Sequence, residues 1–229
     1  MVNRYRNSLD STPLLKAGRR PIYIVRHGQT TWNLERRFIG KSDIPLDETG
    51  ITQAASVSDR LRDIPNPVIY SSPLSRASET ASHIAKRLKI DEVKMVQDLA
   101  ELDQGELEGR YGDCLPIEYP DFFASWLNDP THVQIPGGET LGRCQERAWS
   151  TLNRLCAAPP TNQPIIIVTH KMVICTIICR ILNLPLGNFR MIGQKNTAIN
   201  LLSHSKDGLQ LHRLNDIDHL NPKDRSEAL

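Results

Sequence analysis

The segment 21–33, PIYIVRHGQTTWN, constrains the fold more than any other stretch of the chain. Its apolar run over 22–25 stops abruptly at Arg26, His27 and Gly28, the pattern of a buried strand that ends in a sharp turn. The most apolar run of the chain, 165–168, ends in the same manner at Thr169 and His170. In open α/β sheets ligands sit beyond the carboxyl ends of the strands, so Arg26 and His27 stand where a reacting group would be held. Taken alone, the segment fits equally a surface turn that carries two polar residues.

The rest of the chain alternates strand and helix signals. Thr49 is expected to cap a helix that repeats Ile51, Ala54, Ser58 and Leu61 on one face. A short strand over 68–70 follows, and Ser72 with Pro73 reads as a helix start. That helix carries Leu74, Ala77, Ala81, Ile84 and Leu88 as its apolar stripe and Arg76 in its first turn. A third strand spans 93–96, and the acidic segment ELDQGELEG at 101–109 reads as a loop, its Glu106 and Glu108 as solvated carboxylates. Residues 110–138 are aromatic, acidic and proline-punctuated without a regular period, which predicts a lid of helix and loop. Thr140 caps a long helix with Leu141, Cys144, Ala148, Leu152 and Leu155 on one face, ended by Pro159 and Pro160, and strands over 198–202 and 209–214 close the chain as a hairpin. The fold class is therefore α/β: a three-layer α/β/α sandwich with a mostly parallel central sheet and the lid over its carboxyl edge.

One domain is expected over 21–220, preceded by a basic, disordered arm at 1–20 and followed by a polar tail at 221–229. The arm holds Arg4, Arg6, Lys16, Arg19 and Arg20 against Asp10 alone, so the overall charge of +2 conceals a net acidic body. Nucleic-acid binding calls for a basic face on the folded body and gains little support. No apolar run approaches the length of a membrane span and no secretory start precedes Pro21, so a cytoplasmic protein is expected. The five cysteines read as buried free thiols, and Cys175 and Cys179 lack further ligands at zinc spacing; no metal and no cofactor are expected.

Three strands in this reading end near a cationic or potentially cationic group: Arg26 with His27, Arg76, and His170. On a shared sheet edge these would converge into a site for a dianion such as a phosphoryl group. A neutral imidazole in such a cradle is a competent nucleophile toward phosphorus, so His27 would become phosphohistidine while the cations stabilise the transferring group. The leaving alcohol needs a proton, for which Glu101 is the candidate, acid first and base later. Separately, Arg26 and Arg76 also fit structural ion pairs, and His170 a hydrogen-bonded residue at a helix start.

RHGQTTWN, SSPLSRASET, ELDQGELEG and VTHK, in this order, resemble the histidine phosphatase superfamily in its phosphoglycerate-mutase-like branch, over roughly residues 22–214. The resemblance implies that His27 is the phosphorylated nucleophile, that Arg26, Arg76 and His170 hold the phosphate with a further hydrogen bond from Asn33, and that Glu101 shuttles the proton. It also implies catalysis without a metal. Gln29, Thr30, Ile39, Gly40 and Lys171 are expected to border the substrate, with Gly40 and Gly28 also serving turn geometry.

A metal-independent phosphomonoesterase acting on a small phosphorylated metabolite is the expected function; a phosphoglycerate mutase is the alternative, and a non-catalytic phosphate-binding module a third reading. Mutases of this branch carry lysine and paired arginines after the catalytic glutamate, whereas no Lys or Arg occurs here between Arg110 and Arg143. The segment instead holds Asp113, Glu118, Asp121, Asp129 and Glu139, and an acidic lid would repel a polyanion. Mutases also tend to place a small hydroxyl residue where this chain has Ile39. Lys171, where many members have glycine, is expected to meet a second anionic group of the substrate. Phosphoserine, a sugar phosphate and α-ribazole phosphate are the substrate candidates, and a homodimer remains open.

Overall fold

Six strands form one sheet in the order β3-β2-β4-β1-β5-β6. They are β1 (Arg20–Arg26), β2 (Val68–Ser71), β3 (Val93–Met95), β4 (Ile165–Thr169), β5 (Ile199–Ser205) and β6 (Gly208–Asp216). The computed structural model describes residues 9–160 and 162–221. Strands β1 to β4 are mutually parallel, and β5 and β6 add an antiparallel hairpin beside β1. In register, Arg26 at the end of β1 lies opposite Thr169 at the end of β4, so the two turns met in the sequence open on the same edge.

The helices are α1 (Thr12–Lys16), α2 (Thr31–Leu34), α3 (Glu48–Arg60), α4 (Ser75–Leu88), α5 (Leu115–Glu118), α6 (Pro120–Asn128), α7 (Leu141–Ala157) and α8 (Lys171–Ile181). Alternation along the strands divides the core in two. Ile22, Ile24, Ile165 and Ile167 pack with Leu141, Leu152 and Ile174 of α7 and α8. Tyr23, Val25, Ile166 and Val168 pack with Val57, Ala77 and Ile84 of α3 and α4. This is the three-layer α/β/α sandwich with its mostly parallel sheet.

Several local expectations shift for tertiary reasons. Asp47, not Thr49, caps α3, its carboxylate accepting from Gly50 N at 2.7 Å, and Ile51 faces outward. Helix α4 starts at Ser75 rather than after Ser72, because Asp43 from a distant loop accepts from both the backbone N and the hydroxyl of Ser75. Ser72 is thereby released for another partner.

The expected disordered arm at 1–20 is ordered in its described part. Leu9 is buried and its carbonyl accepts from the Tyr23 hydroxyl at 2.8 Å. Strand β1 already begins at Arg20, whose guanidinium caps the end of α7 by donating to the carbonyls of Leu155, Cys156 and Ala158. Four carbonyl acceptors, with Gln163 the fourth, compensate the burial of this cation. The expectations for residues 1–8 and 222–229 lie outside the described residues. Of the cysteines, four are buried as expected, but Cys114 is exposed at the start of α5. No helix among the described residues is long and apolar enough to cross a membrane.

Candidate active site

The end of β1 delivers Arg26 and His27 to a cavity of about 600 Å³ whose wall also carries Asn33, Arg76 and Glu101. The turn is tight because Gly28 runs against α3: a Cβ there would stand 2.6 Å from the Gly50 carbonyl oxygen, so no larger residue fits. His27 is pinned by its backbone N to Thr169 O at 3.0 Å, while its ring Nδ1 lies 2.7 Å from Gly28 O. A carbonyl can only accept, so Nδ1 carries the proton and Nε2 keeps the lone pair. Burial, then the cations Arg76 and Arg26, hold the His27 pKa well below its usual value and keep the ring neutral.

Arg76 is fully buried in α4. Its two terminal nitrogens donate to Ser42 O at 2.9 Å and Gly40 O at 2.7 Å. Burial lowers its pKa to about 10, with Glu101 opposing the shift, so it remains a cation at neutral pH. The loop that supplies those two carbonyls is itself held by Glu108, which accepts from Lys41 N, Ser42 N and the Ser42 hydroxyl. Glu108 is thus a structural carboxylate behind the arginine, not the solvated one its loop position suggests.

Glu101 is 6% exposed, and burial raises its pKa against the opposing hydrogen bonds from Leu102 N and Met172 N. A carboxyl group in this state can hold a proton to donate. Its backbone is clamped by Arg147, which donates to the carbonyls of Asp98, Ala100 and Glu101 and pairs with Glu139 at 2.5 Å.

His170 caps α8 and lies ring against ring with His27, the centroids 5.1 Å apart. Its Nε2 meets the hydroxyl of Ser72 at 2.8 Å, the partner freed by the late start of α4, and its buried Nδ1 has no hydrogen-bond partner among the described residues. His170 is therefore behind His27 rather than on the cavity wall.

Asn33 is oriented by donors that all converge on its Oδ1: Thr30 N at 3.1 Å, the Thr30 hydroxyl at 3.1 Å and Asn196 Nδ2 at 3.4 Å. The amide oxygen is occupied, so the amide N–H₂ is the end left to meet an anion in the cavity. Asn196, 1% exposed, also donates to His27 O at 3.1 Å. It follows no apolar run, and so lacks the strand-end signature that marks Arg26, His27 and His170 in the sequence. Strand β5 runs antiparallel, so its beginning lies at the cradle, and a polar residue just before an apolar strand is the signal that would have found it.

Of the residues expected to border the substrate, Gln29, Ile39 and Lys171 line the cavity. Thr30 and Gly40 do not: Thr30 is fully buried as the cap of α2, and Gly40 is enclosed, a Cβ there meeting Glu108 Oε1 at 2.1 Å. Both act on the site indirectly, Thr30 through Asn33 and Gly40 through Arg76.

The lid contributes aromatic rings and no acid to the wall. Phe122 stacks on Trp126 at 5.6 Å, and Trp126 meets Phe189 edge-on at 6.2 Å. Asp113, Glu118, Asp121, Asp129 and Glu139 are absent from the lining, so the expected electrostatic repulsion by an acidic lid is corrected. Among the described residues Glu101 is the single carboxylate on a wall that also carries Arg26, Arg36, Arg37, Arg76, Lys171 and Arg190. No group of three or more His, Cys, Asp or Glu side chains suited to a metal ion occurs among the described residues.

Residues 22–217 match the sequence model described as the histidine phosphatase superfamily, branch 1. The chain is 34% identical over 205 residues to the "Probable phosphoglycerate mutase GpmB" of Cronobacter sakazakii, covering 87% of this chain and 94% of that protein. Among solved structures, a mycobacterial glucosyl-3-phosphoglycerate phosphatase complexed with VO3 aligns with a TM-score of 0.74 at 28% identity, covering 86% of this chain and 98% of that one. Bacillus stearothermophilus YhfR aligns with a TM-score of 0.80 at 26% identity, covering 87% and 98% respectively.

Proposed function

The chain belongs to the histidine phosphatase superfamily, and from that premise we propose that it is a metal-independent phosphomonoesterase working through a phosphohistidine on His27. The observation that carries this reading is the Nδ1 contact of His27 with Gly28 O, which leaves Nε2 as an unprotonated nucleophile beside two guanidinium groups. Nε2 attacks phosphorus in line, the P–N bond forms and the ester P–O bond breaks, and Glu101 gives its proton to the departing alkoxide. Arg26, Arg76 and the Asn33 amide meet the charge on the equatorial oxygens as it spreads. In the second half Glu101, now a carboxylate, takes a proton from water; the new P–O bond forms, the P–N bond breaks and phosphate leaves. His170, held neutral by burial and the nearby cation Arg76, acts by packing against the His27 ring, its role in gripping phosphate being secondary to the arginines.

The mutase reading keeps one specific support: the wall is cationic and can accept a polyanion, in agreement with the name of the Cronobacter sakazakii relative. Against it stands Ile39, an apolar residue on the wall where mutases place a hydroxyl. The solved mycobacterial relative named as a phosphatase favours hydrolysis.

The test uses purified protein in EDTA with 3-phosphoglycerate and a panel of phosphorylated metabolites. Phosphate release with an acid-labile phosphoenzyme is expected. Isomerisation of 3-phosphoglycerate faster than phosphate release would establish the mutase instead, and absence of both turnover and phosphoenzyme would leave a binding module. Phosphoserine, sugar phosphates and α-ribazole phosphate are included in the panel. The cavity volume is in the range that encloses a ligand well beyond a bare phosphate, and its rings favour members with an apolar or ring-bearing alcohol.

A further inference from the structure

Four cations line the cavity outside the phosphate cradle, and they differ in one respect. Arg37 is committed: it pairs with Glu35 at 2.5 Å, donates to Gly109 O at 3.0 Å and to the Tyr111 hydroxyl at 2.7 Å, and so fastens the lid. Arg190 is committed likewise, donating to Gly187 O and to Trp126 O at 2.6 Å. Arg36 and Lys171 make no side-chain hydrogen bond and no ion pair with any described residue. Arg36 moreover holds a left-handed backbone, φ 56°, a conformation disfavoured for a side chain of its kind. Its place is enforced by neighbours, its carbonyl accepting from Gly112 N at 3.1 Å.

Both are exposed to solvent, and two water-facing cations without a protein acid beside them, on the wall of a cavity with a single carboxylate and an aromatic face, form the outline of a second binding site. We propose that Arg36 and Lys171 constitute an anion subsite for a second acidic group on the alcohol part of the substrate. The proposal rests on the phosphomonoesterase reading and narrows its substrate class. The substrate is a phosphomonoester whose alcohol carries a carboxylate or a further phosphoryl group, with an apolar or ring face against Phe122, Trp126 and Phe189. Neither cation touches the reacting phosphoryl group, so their effect falls on selection among alcohols.

The experiment compares kcat/KM of the full chain for phenyl phosphate, its 3- and 4-carboxy derivatives and benzene-1,4-diyl bisphosphate. At least one acid-bearing ester is expected to be preferred over phenyl phosphate by about tenfold, the worth of one charge-assisted hydrogen bond. That preference is expected to collapse toward unity in Arg36→Met and Lys171→Met, chiefly through KM. Comparing the ratio between proteins cancels the different leaving-group chemistry of the esters. Preference for carboxylate or for phosphoryl supports the subsite either way and tells which acid it takes. Turnover of all esters with no preference, or a preference that survives both substitutions, overturns the subsite and leaves the phosphatase reading standing. Turnover of none overturns the phosphatase reading itself.

Discussion

The imidazole of His27 donates its Nδ1 proton to the carbonyl of Gly28, its own chain neighbour, across 2.7 Å. The tautomer of the proposed nucleophile is thus set by the backbone of the turn that presents it, with no separate carboxylate needed. His27→Ala and His27→Asn are expected to lower turnover by more than about 10³-fold and to abolish acid-labile labelling by a phosphorylated substrate, read on denatured protein.

Glu101 is raised and His27 lowered in pKa, each chiefly by burial, which fixes the signs of the pH profile. In the proposed mechanism the first step needs neutral His27, so kcat/KM is expected to rise with pH through a value below the usual 6.5. It also needs protonated Glu101, so kcat/KM falls as pH climbs through a value above the usual 4.5. Glu101→Gln is expected to cost at least about 10²-fold with an alkyl phosphate and much less with 4-nitrophenyl phosphate, whose leaving group departs without a proton. Equal losses on the two esters would mean that Glu101 is not the acid.

Arg147 holds the carbonyls of Asp98, Ala100 and Glu101 together with Glu139, and through them the position of Glu101. Arg147→Met leaves Glu139 unpaired and those carbonyls unsatisfied, with an expected stability loss of about 3 kcal/mol by denaturant titration. Arg147→Lys is expected to recover little, since one ammonium cannot span the same acceptors. In both variants kcat should fall more for alkyl than for nitrophenyl esters, the signature of a displaced proton donor.

Asn196 orients Asn33, and the two should behave as one unit toward phosphate. Asn196→Ala and Asn33→Ala are each expected to raise the inhibition constant of inorganic phosphate by about tenfold. The double variant should be no worse than the more damaging single one, because the second change removes an interaction already lost.

Cys114 is exposed while Cys144, Cys156, Cys175 and Cys179 are buried, burial pushing the Cys156 and Cys175 thiols up to about 12. Titration of native protein with a disulfide reagent is expected to modify one thiol quickly and the other four only on unfolding.

The apolar runs that end in Arg26–His27 and in Thr169–His170, with helices between them, were enough to read the layered α/β architecture and the convergence of Arg26, His27, Arg76 and His170 at one sheet edge, although packing sets His170 behind His27 rather than on the cavity wall. Those features are local: strand apolarity, helix stripes and turn chemistry all reside in consecutive residues. What the chain order does not contain is which loop closes on which. Asp43 caps α4 from over 30 residues away, Glu108 organises the loop that holds Arg76, and Arg147 on α7 secures the backbone of Glu101. The charge of the lid is the clearest case. Its acids dominate the sequence between 113 and 139, yet only its rings reach the cavity wall: Phe122, Phe123 and Trp126 face inward from α6, while Glu118 pairs with Arg110 and Glu139 with Arg147. Residue types alone pointed to a phosphoryl site built of histidine and arginine. Tertiary packing decided the tautomer of His27, the orientation of Asn33 and the two cations left without partners, since each depends on atoms brought close by the fold and distant along the chain.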